Sequence, residues 1–206
     1  MLTLYYSPHT CSLAPYIALV EAKADFTPYK VDFAAGEQNS SKYKELNPKG
    51  RVPALASNKG VMSENVAILS FIAAEFPKAK LAPEDAWHNG LMVAFNSYLS
   101  STVHVAHAHN RRGHRWSDDP AVVEAMRIKV PKNMDDCFSL IEDEFLKGPY
   151  VMGKQFTVAD CYLLTISNWM ENDGVDTAKH PKLMAHRALM MSRPAVAKAV
   201  AAHEEK

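Results

Sequence analysis

The chain has 206 residues, of which 48% are hydrophobic and 22% are charged, a mixture typical of a folded globular protein with one large domain or two small ones. The formal net charge is +0 at pH 7 and no basic tract with interleaved aromatic residues occurs, which argues against nucleic acid as a partner. No apolar run approaches the roughly 20 residues of a membrane helix and no signal peptide pattern opens the chain, so we expect a cytoplasmic protein without a membrane partner.

Short strands alternate with helices in the first part of the chain. Apolar residues repeat at a period of two in the predicted strands and at i, i+3 and i+4 in the predicted helices. The order is βαβ followed by ββα. The predicted elements are a strand over LTLYY, a helix over 13–22, a strand over 29–33, a short helix over 41–46, a hairpin turning at 58–60 and a helix over 64–75.

The segment FPKAKLAPED, with two prolines and several charges, interrupts this pattern and reads as a linker. After this segment almost no sequence pattern typical of a strand occurs. We assign residues 1–79 to an α/β domain, 80–85 to the linker and 86–206 to an all-α helical domain. Its predicted helices cover 86–110, 120–145, 158–169 and two shorter segments after Pro181 and Pro194.

Of the three cysteines, Cys137 and Cys161 lie in apolar helical patterns and are interpreted as core residues. Cys11 lies where the first helix begins, and a helix N-terminus favours the thiolate over the thiol. The residue three positions later is Ala14, so an internal CxxC disulfide is excluded and a mixed disulfide with an external thiol remains possible. The alternative is a cysteine that only packs the corner between strand and helix.

Two further segments favour a peptide ligand. In Arg51-Val52-Pro53 the proline precedes a strand, where a cis bond would leave the Val52 backbone free to pair with an extended peptide. Glu64 and Asn65 open a helix, whose N–H groups suit a carboxylate. A thiol, a peptide backbone site and a carboxylate site together would suit a small thiol peptide.

The segments YYSPHTCSLAPYIAL, NPKGRVPAL, MSENVAILSFIA and FTVADCYLL, in this order and spacing, resemble the cytosolic glutathione transferases. A cysteine in place of a serine or tyrosine resembles the bacterial beta class. The resemblance implies a thioredoxin-like N-terminal domain that binds glutathione and a helical C-terminal domain that forms most of the pocket for a small electrophilic or apolar second substrate. It also implies a homodimer and no metal.

Site residues are carried over from this resemblance by position. Cys11 would lie beside the glutathione sulfur, and the Val52 backbone would pair with the cysteinyl part of glutathione, with Pro53 as the cis proline. Glu64 and Asn65 would hold the γ-glutamyl end. Arg51 would lie at the glycyl end of glutathione or at the rim of the cleft.

A histidine-rich helix follows the linker, with His104, His107 and His109. The first two share a helix face, but no carboxylate stands at ligand spacing nearby, so we assign no metal site. In the beta class a histidine on this helix faces the glutathione sulfur, and His104 matches that position better than His107. The alternative for each is a helix-face histidine that contacts solvent or a neighbouring subunit.

Three side chains are candidates for the second-substrate pocket: Tyr6, His107 and Trp169. For the two aromatic residues the alternative is core packing. The basic stretch from Arg111 to Trp116 is interpreted as a solvated loop or the rim of the cleft.

These features predict a glutathione transferase that presents a glutathione thiolate to an electrophile, a disulfide or a peroxide, with Cys11 and His104 at the sulfur. If Cys11 is a nucleophile, thiol-disulfide exchange or peroxide reduction follows. If it only donates a hydrogen bond to the glutathione sulfur, conjugation follows. The alternatives are a carrier that binds glutathione or apolar ligands without turnover and, third, a glutathione-dependent isomerase.

Overall fold

A computed structural model describes residues 1–204. Residues 205 and 206, which the sequence assigned to the helical domain, lie outside the described residues. Within 1–204 one sheet has the strand order β2-β1-β3-β4, in which β1 pairs parallel with β2 and antiparallel with β3, and β3 pairs antiparallel with β4. The strands are β1 (Leu2–Tyr6), β2 (Phe26–Lys30), β3 (Ala54–Ser57) and β4 (Gly60–Ser63).

The helices agree with the predicted ones to within a few residues. Two of them continue through a π-helical turn, Leu99–Val103 between α4 and α5 and Ile141–Phe145 after α6. The helices are α1 (Leu13–Glu21), α2 (Ser41–Leu46), α3 (Asn65–Glu75), α4 (Ala86–Tyr98), α5 (His104–Arg112), α6 (Pro120–Leu140), α7 (Val158–Ser167), α8 (Pro181–Met191) and α9 (Pro194–Glu204).

The predicted second strand was wrong in position: β2 is Phe26–Lys30 rather than residues 29–33. The observed strand contains Pro28, and proline cannot donate to a sheet ladder. Here β2 is an edge strand that pairs only with β1, and Pro28 lies opposite Leu4 in that register. An edge strand accepts a proline whose missing N–H would face away from the sheet.

The core runs without a break from the sheet into the helical bundle. Leu4 of β1, Ile17 of α1 and Ile68 of α3 are fully buried on the same side of the sheet. Helix α1 packs against α3 and also against α7 and α9, and all ten residues of α7 are buried. The sheet and the bundle therefore hold each other in place, which fixes the geometry of any site between them.

The predicted cap of α7 is present as a capping box of Thr157 and Asp160. The Asp160 carboxylate accepts hydrogen bonds from the backbone N–H groups of Thr157 and Val151, both at 2.8 Å, and lies 3.1 Å from Nε2 of His186. One buried carboxylate thus joins the start of α7, the preceding loop and α8. In the part of the chain that the structure describes, no helix is long and apolar enough to cross a membrane.

Candidate active site

A cavity of about 450 Å³ opens between the end of the sheet and the helical bundle. Its walls come from the loop after β1, the segment before β3, the start of α3 and the helices α5 and α7. It brings together nine of the site residues predicted from the sequence. They are Cys11, Arg51, Val52, Pro53, Glu64, Asn65, His104, His107 and Trp169.

The Cys11 side chain is half-buried at one wall of this cavity. Its Sγ atom donates a hydrogen bond to the carbonyl oxygen of Val52 at 3.5 Å. Burial raises the pKa of the Cys11 thiol to about 11, although the positive charges of Arg112 and Arg51 lower it in part. This direction is opposite to the one that the sequence led us to expect from a helix N-terminus. Because α1 begins only at Leu13, Cys11 lies outside the helix, where the loss of hydration outweighs the helix dipole.

The segment before β3 presents backbone groups to the cavity. The peptide bond between Val52 and Pro53 is cis, as the sequence led us to expect. The carbonyl oxygen of Arg51 accepts hydrogen bonds from Tyr43 Oη at 2.9 Å and Asn47 Nδ2 at 2.7 Å. These two bonds hold the segment in an irregular conformation, while the Arg51 side chain is exposed at the rim.

Glu64 stands directly before α3 with φ +77° and ψ +125°, a backbone conformation that a residue with a side chain rarely adopts. Its carboxylate lies 2.6 Å from Lys49 Nζ, a cavity residue that sequence reasoning missed. Asn65 donates to the carbonyl oxygen of Cys11 at 2.9 Å, and its own Oδ1 is buried without a partner among the described residues. The start of α3 is thus tied to the Cys11 loop.

Tyr162, also missed, reaches the cavity from α7 and is 1% exposed. Burial raises the pKa of its hydroxyl above the usual range, and the neighbouring Cys11 adds to this effect. Tyr162 follows Asp160 in an otherwise apolar helix, so the sequence pattern favoured a core residue. Its proximity to Cys11 arises only from the packing of α7 against α1.

The histidines of α5 face a common aromatic surface. The ring centroids of His104 and His107 lie 5.0 Å and 4.1 Å from that of Trp169. Burial, with the positive charge of Arg112 as the next cause, lowers the pKa of His104 to about 3, so its imidazole is neutral at pH 7. His107 Nδ1 lies 2.7 Å from the buried carboxylate of Asp173, which also accepts a hydrogen bond from Asn110.

A second cavity of about 300 Å³ adjoins the first. The residues common to both, which therefore stand at the junction, are His9, Thr10, His107, Arg112 and Trp169. The end of α9, with His203 and Glu204, lines the smaller cavity alone. The basic stretch after α5 is a cavity rim rather than a free loop, since Arg112, Arg115 and Trp116 line the larger cavity.

Tyr6 lines neither cavity, so its assignment to the second-substrate pocket was wrong. It is 8% exposed and packs against the rings of Tyr16 and His203, with centroids at 5.4 Å and 5.2 Å. Side chains alternate between the two faces of a strand, and Tyr6 shares with Leu4 the face beneath α1. The position next to the Cys11 loop therefore does not bring Tyr6 to the site.

The histidine-rich helix does not gather a metal site: residues 1–204 contain no cluster of three or more His, Cys, Asp or Glu side chains placed to hold a metal ion. His104 and His107 both pack against Trp169, and His107 also contacts Asp173. His109 points elsewhere and packs edge-on against Trp116 at 4.5 Å.

Family models for the N-terminal and C-terminal domains of glutathione S-transferase match residues 1–74 and 115–194. The chain belongs to the glutathione S-transferase family. It is similar to the glutathione S-transferase GstA of Escherichia coli O157:H7, with 29% identity over 202 residues that cover 97% of each chain.

Two solved structures are similar along the whole chain. A glutathione transferase homologue from Sulfitobacter with bound glutathione is 43% identical, with a TM-score of 0.96 over 100% of this chain and 99% of the other. A bacterial beta class glutathione S-transferase from Sphingomonas chungbukensis is 32% identical, with a TM-score of 0.84 over 98% of each chain. The thioredoxin-like and helical architecture and the resemblance to the beta class are confirmed.

Proposed function

We propose that this chain is a glutathione transferase that binds glutathione in the larger cavity, with the glutathione sulfur beside Cys11. The observation that carries the proposal is the convergence of the Cys11 thiol, the Val52 backbone and the Glu64 carboxylate on one cavity of about 450 Å³. That volume suits a ligand of tripeptide size. The glutathione-bound relative from Sulfitobacter supports it, because it is similar over the full length of the chain.

The cavity has a complementary group for each part of glutathione. The irregular backbone at Val52 would pair with the cysteinyl residue in the manner of an added strand. Glu64 and Asn65, at the start of α3, would take the γ-glutamyl ammonium and carboxylate, with Lys49 as a further cation on this side. Arg51 at the rim would bind the glycyl carboxylate.

At the sulfur, the raised pKa of Cys11 favours the role of a hydrogen-bond donor over that of a nucleophile. Its S–H would donate to the glutathione thiolate. His104, neutral at pH 7, would be a second hydrogen-bond partner of the sulfur rather than a strong base. The thiolate then forms a C–S bond with the electrophile, and the leaving group departs with the electron pair.

The decisive experiment compares Cys11→Ala and Cys11→Ser with the wild type, using glutathione and 1-chloro-2,4-dinitrobenzene. A hydrogen bond to a charged group contributes about 1.5 to 3 kcal/mol, so Cys11→Ala should lower kcat/KM by roughly 10- to 100-fold. Cys11→Ser should retain most of the activity, because a hydroxyl also donates. Cys137→Ala, a buried thiol outside both cavities, is the matched control.

Other results would favour the other hypotheses. Loss of all turnover in both Cys11 variants, with activity of the wild type on a glutathione mixed disulfide, would favour Cys11 as a nucleophile. Binding of glutathione by the wild type without turnover of either substrate would favour the carrier. Each result contradicts conjugation with Cys11 as donor.

We extend the proposal to a homodimer. Trp87 and Leu91 lie four residues apart on one face of α4 and are 74% and 47% exposed. Large apolar side chains exposed side by side are typical of an interaction surface. Light scattering should give twice the mass of the chain for the wild type and the single mass for Trp87→Glu.

A further inference from the structure

Most of the residues around the smaller cavity have polar or charged groups in their side chains. Leu13 and Trp169 are its large apolar side chains, and the other described lining residues all carry hydroxyl, amide, imidazole or charged groups. Three asparagines, Asn110, Asn168 and Asn172, contribute amide groups on the side of α5 and α7. A pocket for a purely apolar substrate would be lined mainly by hydrophobic side chains. The sequence led us to expect a small electrophilic or apolar second substrate, and these side chains favour an electrophile with its own hydrogen-bonding groups.

The charges in this cavity are predominantly positive. Arg111 and Arg112 line it, and within residues 1–204 neither forms an ion pair. The acid near Arg112 is Asp173, whose carboxylate is already bonded to His107 and Asn110.

Glu204 is the one carboxylate among the lining residues that the structure describes, and it lies 3.9 Å from the His9 ring. Two guanidinium groups thus face a cavity with one acid, which is itself close to an imidazole. Glutathione in the proposed orientation uses Arg51 and leaves Arg111 and Arg112 available. An anionic group on the second substrate would balance this charge, because a guanidinium binds a carboxylate in a planar, bidentate way.

We infer that the smaller cavity binds the second substrate and selects an electrophile that carries a carboxylate, with Arg112 as the specificity-determining residue. This inference rests on the proposed transferase function. The Arg112 side chain stands at the junction of the two cavities, so it can bind the carboxylate while the electrophilic carbon faces the glutathione sulfur. His107, held by Asp173 through Nδ1, keeps Nε2 for a hydrogen bond with the substrate.

The test uses two acceptors that differ at one substituent, the anion 4-chloro-3,5-dinitrobenzoate and its uncharged methyl ester. Both react with glutathione by loss of chloride from the same ring carbon. Rates are measured at saturating glutathione, and kcat/KM for each acceptor is divided by its uncatalysed rate constant. We expect the ratio of acid to ester to be about tenfold or more in favour of the acid, since a charge-assisted hydrogen bond discriminates at this scale.

Arg112→Gln should bring this ratio close to one, and added salt should lower it in the wild type. Arg115→Gln is the matched control: it removes the same charge from the larger cavity alone and should keep the ratio. Equal use of acid and ester by the wild type, or an unchanged ratio in Arg112→Gln, would overturn the inference while the transferase function stands. Conversion of 1-chloro-2,4-dinitrobenzene but of neither benzoate acceptor would also overturn the inference, whereas failure on all three acceptors would overturn the transferase function itself.

Discussion

The thiol of Cys11 donates its hydrogen to the carbonyl oxygen of Val52 across a distance of 3.5 Å. Two segments that are far apart in sequence thus meet at one sulfur atom, and the carbonyl group stabilises the protonated form of that sulfur. A thiolate would face the carbonyl oxygen without a hydrogen to share. This contact agrees with the burial that raises the pKa of the Cys11 thiol to about 11.

Alkylation of Cys11 by iodoacetamide should accordingly be slow at pH 7. Only the thiolate reacts, so the rate should rise about tenfold per pH unit between pH 7 and 9 and reach no plateau below pH 10. The measurement is mass spectrometry of the Cys11 peptide over time, in the double variant Cys137→Ala, Cys161→Ala. A plateau near pH 6 would show instead that Cys11 is a stabilised thiolate.

Glu64 provides a test of strain at the start of α3. Its positive φ should cost on the order of 1 kcal/mol, which glycine avoids because it has no Cβ. Glu64→Gly should therefore be more stable than Glu64→Ala by about 1 kcal/mol in urea unfolding. The comparison of these two variants cancels the loss of the exposed ion pair with Lys49.

Both Glu64 variants should bind glutathione more weakly than the wild type, as isothermal calorimetry would measure. Equal stability of Glu64→Gly and Glu64→Ala would mean that the conformation is not strained. Unchanged glutathione affinity in both would contradict the role proposed for the carboxylate.

The stability of the fold should depend on pH through His203. Its Nε2 lies 3.0 Å from Ser12 Oγ, and burial, together with the charge of His9, lowers the pKa of His203 to about 4. The unfolded chain takes up a proton near pH 6.5, whereas the folded chain does not, so stability is complete above that pH. It is lost as the pH falls toward 4, by up to about 1.4 kcal/mol per pH unit.

The matched variant is His203→Gln, which removes the titrating group and keeps a polar side chain. The slope of unfolding free energy against pH between 6.5 and 4 should be smaller in this variant than in the wild type. Identical slopes for the wild type and His203→Gln would refute the assignment.

Asp160 should be among the most sensitive positions in the helical part. Its carboxylate is fully buried and bonds to two backbone N–H groups and to His186, so Asp160→Ala leaves several donors without a partner. We expect a loss of roughly 3 to 5 kcal/mol in unfolding free energy. Asp136→Ala, which removes an exposed carboxylate paired with Lys132, should cost less than about 1 kcal/mol. A similar loss in both variants would contradict this account.

The elements that were predicted correctly are determined by residues close to one another in sequence. The hairpin at Asn58-Lys59-Gly60, the capping box of Thr157 and Asp160 and the proline-initiated helices α8 and α9 depend on neighbours a few residues away. The position of β2 was missed because it depends on which strand lies at the edge of the sheet. That order is a property of the assembled sheet and not of residues 26–33.

The candidate site was predictable where backbone motifs form it and less so where side chains converge from distant segments. Tyr162 and Lys49 reach the cavity from α7 and from the segment before β3, and each fits an ordinary core or surface pattern in sequence. The direction of the Cys11 pKa was missed for the same reason. The desolvation that controls it comes from groups about 40 to 150 residues away, such as Val52 and Tyr162.

The smaller cavity joins the two extremes of the described chain, since His9 and Thr10 form its wall together with His203 and Glu204. During synthesis on the ribosome, this wall cannot form before Glu204 has been added to the chain. The sheet and the helices packed on it can form earlier, but the smaller cavity, which is proposed to select the second substrate, is not yet complete. A chain that ends before α9 would still have Cys11, Val52 and Glu64. It would lack the part of the smaller cavity that α9 forms, and with it part of the site proposed to select the second substrate.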